Sequence, residues 1–281
     1  MIRTTHIAVL ICLCLPPAGC REPEKKAWWE ETKIDDLSPN SGDGRMQDKK
    51  LQTINFDLHI YEVPADNIKK IDEIRRTLDT RPFRFNSLTA FSSNSFSVYF
   101  GQLQTWNTIT DLLLIAGAER RSRTSLLLPD GQTEDITVAG FDYPLTVYFT
   151  SSRGTKEGAH IGPGHLVMRI KAGSSPTLND VANITIYPVF LVPLRNTIPQ
   201  LNARTKLREF PFTPAAFGLN MSPGDFIFLS PEEYVTEKSS LGGLFFNNPR
   251  GNMFFQKDKR KPPEFKPCFR VYMLTCTEII N

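Results

Sequence analysis

The feature that most constrains the fold is the regular spacing of turn residues after Gly117. Turn residues recur there about every ten positions, as at Pro129-Asp130-Gly131-Gln132 and Ser222-Pro223-Gly224-Asp225, which is typical of short strands joined by tight turns. Segment 121–281 is therefore predicted to be a mainly β domain, folded as an antiparallel sheet, a sandwich or a partial barrel. The predicted strands include 125–128, 136–138, 145–149, 166–170 and 181–192, with Arg153–Gly164 as a glycine-rich loop and Ser239–Phe246 as an apolar loop or short turn.

Segment 51–120 has a different pattern and is predicted to be a small α/β subdomain. Apolar residues alternate with polar ones from Ile54 to Ile60, which predicts a strand buried on one face with His59 on the polar face. Apolar residues then recur at steps of three and four over 68–78 and again over Leu103–Ala116. This spacing predicts two helices, the second with Trp106 on its core face and ended by Gly117. The expected fold class is α+β.

The cysteines of the C-terminal segment are predicted to be separate thiols. Cys268 and Cys276 lie in Phe265–Ile280, which reads as one extended strand. Eight residues at ~3.4 Å each would separate them by about 27 Å, whereas a disulfide needs Cα atoms within about 7 Å. Both thiols are therefore expected to be buried and unpaired.

The first twenty residues have the pattern of an export signal. Arg3 is followed by the apolar run Ile7–Leu15 and then by small residues that lead to Cys20. Nine residues of helix would reach about 14 Å, half of a ~30 Å hydrocarbon core, so the run is too short to span a membrane. The segment resembles a bacterial lipoprotein signal, although Pro17 stands where an aliphatic residue is usual. An ordinary secretory signal cleaved near Ala18 is the alternative.

The lipoprotein resemblance implies a lipid anchor. In that family the cysteine, here Cys20, carries a thioether-linked diacylglycerol and an acyl group on its amine, so that acyl chains hold the protein on the membrane. Arg21, in place of an aspartate, implies sorting to the outer membrane, facing the periplasm. Segment 21–50 is polar and is predicted to be a flexible tether with a span of about 30 Å. Within it, two interpretations of Trp28-Trp29 remain open. The pair either contacts the membrane interface or a partner protein, or it forms a short helical turn that caps the domain.

The charge balance argues against a nucleic-acid partner. The chain has 33 Lys and Arg against 30 Asp and Glu. Removal of segment 1–20, which contains one arginine and no acid, leaves a net charge of +2. Such a balance gives no electrostatic reason to expect nucleic acid.

Residues able to carry chemistry do not form a recognised motif. His160 and His165 flank a glycine-proline turn, but no cysteine or acidic cluster stands at metal-ligand spacing, so no metal, cofactor or catalytic residue is predicted. The remaining polar groups are interpreted as ordinary surface residues: Asp57 beside His59, Asp142 beside Tyr143, and the adjacent acids Asp35-Asp36 and Glu232-Glu233. The chain is not expected to be an enzyme.

Three stretches resemble short sequence motifs of the outer-membrane secretin family: Asp130–Thr133, Leu241–Phe245 and Tyr272–Ile280. The first two stand further apart than in secretins, and Thr277 stands where secretins have proline. The resemblance implies a membrane-associated β module that assembles into oligomers in the envelope.

Three hypotheses about function follow. The first is a lipid-anchored envelope protein that acts as a non-enzymatic assembly or protein-binding module, whose partner is either another protein or a further copy of the same chain. The second is a secretin-like oligomeric subunit of an envelope secretion complex. The third is an envelope hydrolase that acts on carbohydrate through carboxylates that converge only in the fold.

Overall fold

The alternating segment Ile54–Ile60 lies in a strand that runs from Thr53 to Pro64. The computed structural model describes residues 52–80, 82–175, 180–193, 207–255 and 264–280. Residues Lys50–Asn281 belong to one compact unit. The predicted signal 1–20 with Cys20, the tether 21–50 and Trp28-Trp29 lie outside the described residues.

The described residues contain fourteen strands and four α-helices, with 3-10 turns at Ala65–Lys70 and Thr213–Ala215. The strands are β1 Thr53–Pro64, β2 Arg84–Phe85, β3 Phe96–Gln102, β4 Glu119–Pro129, β5 Thr133–Phe141, β6 Leu145–Thr150, β7 Lys156–Ile161, β8 Gly164–Ser174, β9 Ala182–Pro193, β10 Leu207–Pro211, β11 Phe217–Met221, β12 Asp225–Pro231, β13 Asn247–Phe255 and β14 Glu264–Ile280. The helices are α1 Ile71–Thr77, α2 Leu88–Ser93, α3 Leu103–Ile115 and α4 Leu241–Phe246.

The strands form two six-stranded sheets and a hairpin. The first sheet has the order β3-β12-β14-β1-β4, with β13 also paired to β14, and the second has the order β2-β11-β9-β8-β5, with β10 also paired to β9. Strands β6 and β7 form the hairpin, and all the sheet pairings are antiparallel. The predicted α+β class, mainly antiparallel β, is confirmed.

The first strand of this unit pairs with the last along its whole length. Thr53 stands opposite Ile280, and Pro64 stands opposite Cys268. The two segments 51–120 and 121–281 therefore both contribute strands to the first sheet.

The unit has three layers around two cores. Phe56 and Leu58 from β1 share one core with Ile170 and Ile184 from the second sheet, so the two sheets stack as a sandwich. On the opposite face of the first sheet, apolar side chains of α1 and α3 pack against β12 and β14 in a second core. Its members include Ile71, Ile74, Ile109, Leu113, Phe226, Val271 and Met273. Strand β1 is thus buried on both faces, and the prediction of burial on one face is wrong because α3 covers the other.

Two other local predictions are also wrong. The predicted loop Arg153–Gly164 contains β7, which pairs with β6 from Lys156 to Ile161. The predicted loop or short turn Ser239–Phe246 contains α4, whose first turn is capped by the Ser240 side chain accepting from the Gly243 N–H at 3.1 Å.

Other local predictions are confirmed. Helix α3 ends as expected, with Gly117 in the left-handed region at φ 72°. Cys268 and Cys276 are both buried, and neither forms a disulfide bond. Across the part of the chain that the structure describes, no helix is both long enough and apolar enough to cross a membrane.

Candidate functional site

The first candidate site is the outer edge of β4. This eleven-residue strand is the last in the order of the first sheet and pairs with β1 on one side. Among the described residues, no strand pairs with its other side. The N–H and C=O groups along that side can therefore pair with another chain.

Two other strand edges on the sandwich, those of β3 and β5, are partly occupied. At β3, Phe100 exchanges two backbone hydrogen bonds with Asp79, at 2.9 and 2.7 Å. At β5, the Val138 carbonyl accepts a hydrogen bond from Nη1 of Arg270 at 2.8 Å. These contacts make the edge of β4 more open than the edges of β3 and β5.

Two of the three arginines of β4, Arg121 and Arg123, are ion-paired within the chain. Nε of Arg121 lies 2.6 Å from Oε2 of Glu62, and Nη2 of Arg123 lies 2.6 Å from Oδ2 of Asp57. Asp57 also accepts a hydrogen bond from the Ser125 hydroxyl at 2.6 Å. This hydrogen bond, followed by the contact with Arg123, lowers the pKa of the Asp57 carboxyl below its ordinary value.

One large apolar side chain projects from the same edge. Leu126 and Leu128 are buried in the sandwich core, whereas Leu127 between them is 63% exposed. The alternation of a strand places Leu127 on the opposite face from its two neighbours. The β4 edge thus combines a backbone side that no described strand pairs with, two arginines paired with carboxylates, the exposed Arg120 and an exposed leucine.

His59 lies on β1 beside this edge and is buried rather than solvent-facing. The residue is 7% exposed, and its ring meets Trp106 edge-on, with ring centroids 5.1 Å apart. Burial, followed by the nearby Arg123 charge, lowers the pKa of His59 below its ordinary value, against a smaller opposing effect of Asp57. His59, which is predicted to lie on a polar face, therefore lies in the interior instead. Trp106 packs in the core as predicted.

The second candidate site is a cleft beside the β6–β7 hairpin. It has a volume of about 470 Å³ and is bordered by the end of α2, by β6 and by the segment that leads into α4. Side chains of both charges line it, including Lys156, Glu233 and Glu237, together with Tyr148 and Tyr234. Its volume lies within the range of ~300–1,000 Å³ typical of small-ligand sites.

A buried asparagine holds one wall of this cleft in place. Asn94, which is 5% exposed, donates from Nδ2 to the Thr150 carbonyl at 2.8 Å and accepts from the Thr150 N–H at 2.8 Å. The Tyr148 N–H donates to the Ser239 carbonyl at 2.9 Å. These bonds attach the same edge of β6 to the end of α2 and to the segment before α4.

The remaining residues considered from the sequence do not converge on one site. His160 lies on β7, where Nδ1 is 3.2 Å from the Thr146 hydroxyl, and His165 lies on β8. Asp142 and Tyr143 are exposed between β5 and β6. Of the pair Glu232-Glu233, only Glu233 lines the cleft, and Asp35-Asp36 lie outside the described residues. Within the described ranges, no group of three or more His, Cys, Asp or Glu residues could hold a metal ion.

Comparisons with known proteins give low-level similarity to secretins. No family model matches the chain, and no curated protein matches it. The type II secretin GspD of enteropathogenic Escherichia coli is 11% identical over 82% of this chain and 69% of its own, with a TM-score of 0.23. The secretin domain of InvG from Salmonella is 13% identical over 82% and 62%, with a TM-score of 0.20. PilQ, a type IV competence pilus secretin of V. cholerae, is 9% identical over 82% and 58%, with a TM-score of 0.21. The chain thus spans less than two thirds of the InvG and PilQ chains.

Proposed function

We propose that this chain is a non-enzymatic assembly module of the cell envelope that joins protein chains along the open β4 edge. In its most specific form the partner is another copy of the same chain, which would make the protein a secretin-like oligomeric subunit. The observation that carries the proposal is the eleven-residue strand with no partner on its outer side among the described residues.

The chemistry of the edge favours pairing over repulsion. An edge of this length offers about five outward N–H groups and about five outward C=O groups to an added strand. Many proteins protect such an edge with unpaired charges. Here Arg121 and Arg123 are already paired with Glu62 and Asp57, so these two add little repulsion, and the exposed Arg120 is the charge that an approaching strand would have to accommodate.

The proposal includes an acyl anchor at Cys20, which rests on the sequence of the first twenty residues. A Cys20→Ser variant is expected to leave the membrane fraction, because two or more acyl chains are what make membrane residence stable. Intact-mass analysis of the wild-type protein should find acyl chains on residue 20. A mature chain that begins at a residue other than Cys20 and carries no lipid would contradict the proposed anchor. That result would leave the proposal for the β4 edge unchanged.

The edge itself is tested by two matched leucine substitutions. Leu127 on β4 and Leu114 on α3 are 63% and 66% exposed, so neither Leu127→Lys nor Leu114→Lys should disturb the core. We expect the wild type and Leu114→Lys to be oligomeric in detergent, and Leu127→Lys to shift toward the monomer because a new unpaired charge stands on the edge. Light scattering coupled to gel filtration measures the mass of each. A monomeric wild type, or equal masses for all three, would contradict the proposal.

The cleft supports a second candidate, an envelope hydrolase that acts on carbohydrate. The specific observation is that Glu233 and Glu237 line the same concavity, since glycoside hydrolysis uses two carboxylates. The test is the release of reducing ends from peptidoglycan by the wild type and by Glu233→Gln and Glu237→Gln. Release that both substitutions abolish would favour the hydrolase over the non-enzymatic module.

A further inference from the structure

We propose that the cleft beside the β6–β7 hairpin is a saccharide-binding site that holds sugar units of an envelope glycan. This goes beyond the proposed assembly role, since the residues of the cleft are separate from β4; it rests on the proposed envelope location and concerns the cleft that the hydrolase candidate also uses. The inference rests on the shape of the cleft, on one aromatic ring and on the kinds of polar group around it.

The walls of the cleft are closely fitted. A Cβ at Gly242 would lie 2.3 Å from the Asn94 carbonyl oxygen, and a Cβ at Gly243 would lie 2.3 Å from the Glu237 carbonyl oxygen. Helix α4 therefore approaches the end of α2 as closely as only glycine allows. Together with the Asn94 bonds to Thr150, these contacts form the cleft before any ligand arrives, which lowers the entropic cost of binding.

Tyr148 supplies a flat aromatic surface at the cleft. It stands opposite Gly158 on β7, where a Cβ would lie 3.3 Å from Cε1 of the tyrosine, so the ring covers the glycine. The side chain is nevertheless 48% exposed and borders the cleft. The negative face of an aromatic ring attracts the C–H bonds that line one side of a sugar ring.

The polar groups suit a neutral, hydroxyl-rich ligand. The carboxylates of Glu233 and Glu237 accept hydrogen bonds, and the ammonium of Lys156 donates them. An anionic ligand such as a phosphate would meet two carboxylates against one lysine. Sugar hydroxyls both donate and accept, so they can pair with groups of either sign.

The backbone of β6 argues against an extended peptide as the ligand. The Tyr148 N–H is bonded to Ser239, and both the N–H and the C=O of Thr150 are bonded to Asn94. A peptide that added itself as a strand at this edge would find these groups already used. A saccharide needs side chains and a stacking surface instead, and the cleft offers both.

The test uses the full chain with chitotetraose, maltotetraose and peptidoglycan sacculi as saccharide probes, and a tetrapeptide as the comparison ligand. We expect the wild type to bind at least one saccharide probe in titration calorimetry or sacculus co-sedimentation. Tyr148→Ala should weaken that binding at least about tenfold, whereas Tyr148→Phe, which keeps the ring, should stay within about threefold of the wild type. Tyr143→Ala is the matched control, because Tyr143 is 66% exposed and does not line the cleft.

Three results would overturn the proposal: absence of saccharide binding by the wild type, equal losses in Tyr148→Ala and Tyr143→Ala, or binding of the tetrapeptide alone. If Tyr148→Ala lowers the melting temperature, Glu233→Gln and Glu237→Gln provide the second pair of variants, and both should weaken saccharide binding. Binding accompanied by release of reducing ends would support the site and contradict the non-enzymatic part of the proposed function.

Discussion

Arg169 should contribute more to stability than the exposed Arg123, because it holds two carboxylates from two other strands. It lies on β8 and contacts Asp135 on β5 through Nε and Nη2, at 2.6 and 2.7 Å. It contacts Glu209 on β10 through Nη1 and Nη2, at 2.6 and 2.9 Å. The Arg169 side chain is 13% exposed, against 29% for Asp135 and 46% for Glu209. These hydrogen bonds, that of Asp135 foremost, raise the pKa of Arg169 above its ordinary value.

The expected cost of Arg169→Met lies between two limits. Removal of one partner from a fully buried ion pair costs about 3–5 kcal/mol, whereas an exposed pair contributes about 0–1 kcal/mol. The two carboxylates are partly exposed and can regain water, so we expect a loss of about 2 kcal/mol in the free energy of unfolding. For a chain of this size that loss lowers the melting temperature by about 4–8 °C.

Arg123→Met is the matched control. Arg123 also joins two adjacent strands through an aspartate, but its side chain is 59% exposed and Asp57 keeps its bond to Ser125. We expect a loss below about 1 kcal/mol for this variant. Calorimetry or urea unfolding at neutral pH measures both. Equal losses for the two variants, or an Arg169→Met protein as stable as the wild type, would refute the reasoning.

Acidity should reduce the advantage of the wild type over Arg169→Met. Arg169 lowers the pKa of Glu209 below its ordinary 4.5, so the stability it contributes is present above that value and is lost as the pH falls through the folded-state pKa. The free energies of unfolding of the wild type and Arg169→Met should therefore converge only as the pH falls below 4.5.

Two further predictions concern buried polar groups. Burial lowers the pKa of His59 from its ordinary 6.5, so the unfolded chain binds a proton that the folded chain does not. The free energy of unfolding should therefore fall as the pH drops below 6.5. The His59→Phe substitution should flatten that fall, whereas His160→Gln should not. A pH profile of unfolding that is the same for the wild type and His59→Phe would contradict this. Tyr272 is 2% exposed, and its hydroxyl donates a hydrogen bond to the Phe245 carbonyl at 3.1 Å. Tyr272→Phe should therefore lower the free energy of unfolding, measured in urea, by about 1 kcal/mol. An unchanged free energy of unfolding would mean that the carbonyl finds another donor.

The spacing of apolar residues along the sequence is sufficient to predict individual strands and helices that follow that spacing. Alternation over Ile54–Ile60 predicts β1, and the spacing over Leu103–Ala116 predicts α3 with its glycine cap. Helix α4 escapes prediction because it contains Gly242 and Gly243, which are poor helix formers. They are needed there because a Cβ at either would meet a backbone oxygen at 2.3 Å.

Both candidate sites depend on contacts between distant parts of the chain. The open edge of β4 is a property of the strand order, which no stretch of sequence reveals by itself. The cleft combines residues 93–95, 148–156 and 233–242, and the sequence contains no motif that joins these three segments. Alternation alone assigns His59 to a polar face, because the pattern of β1 does not show that α3 covers it.

Hydrogen exchange along β4 tests the central proposal most directly. In the assembled wild-type protein, the outward amides of Glu119–Pro129 should exchange slowly, because an added strand would protect them. In Leu127→Lys the same amides should exchange rapidly, while those of β14 in the sheet interior stay protected in both proteins. Rapid exchange of the outward β4 amides in the wild type, equal to that in Leu127→Lys, would show that no chain pairs with this edge.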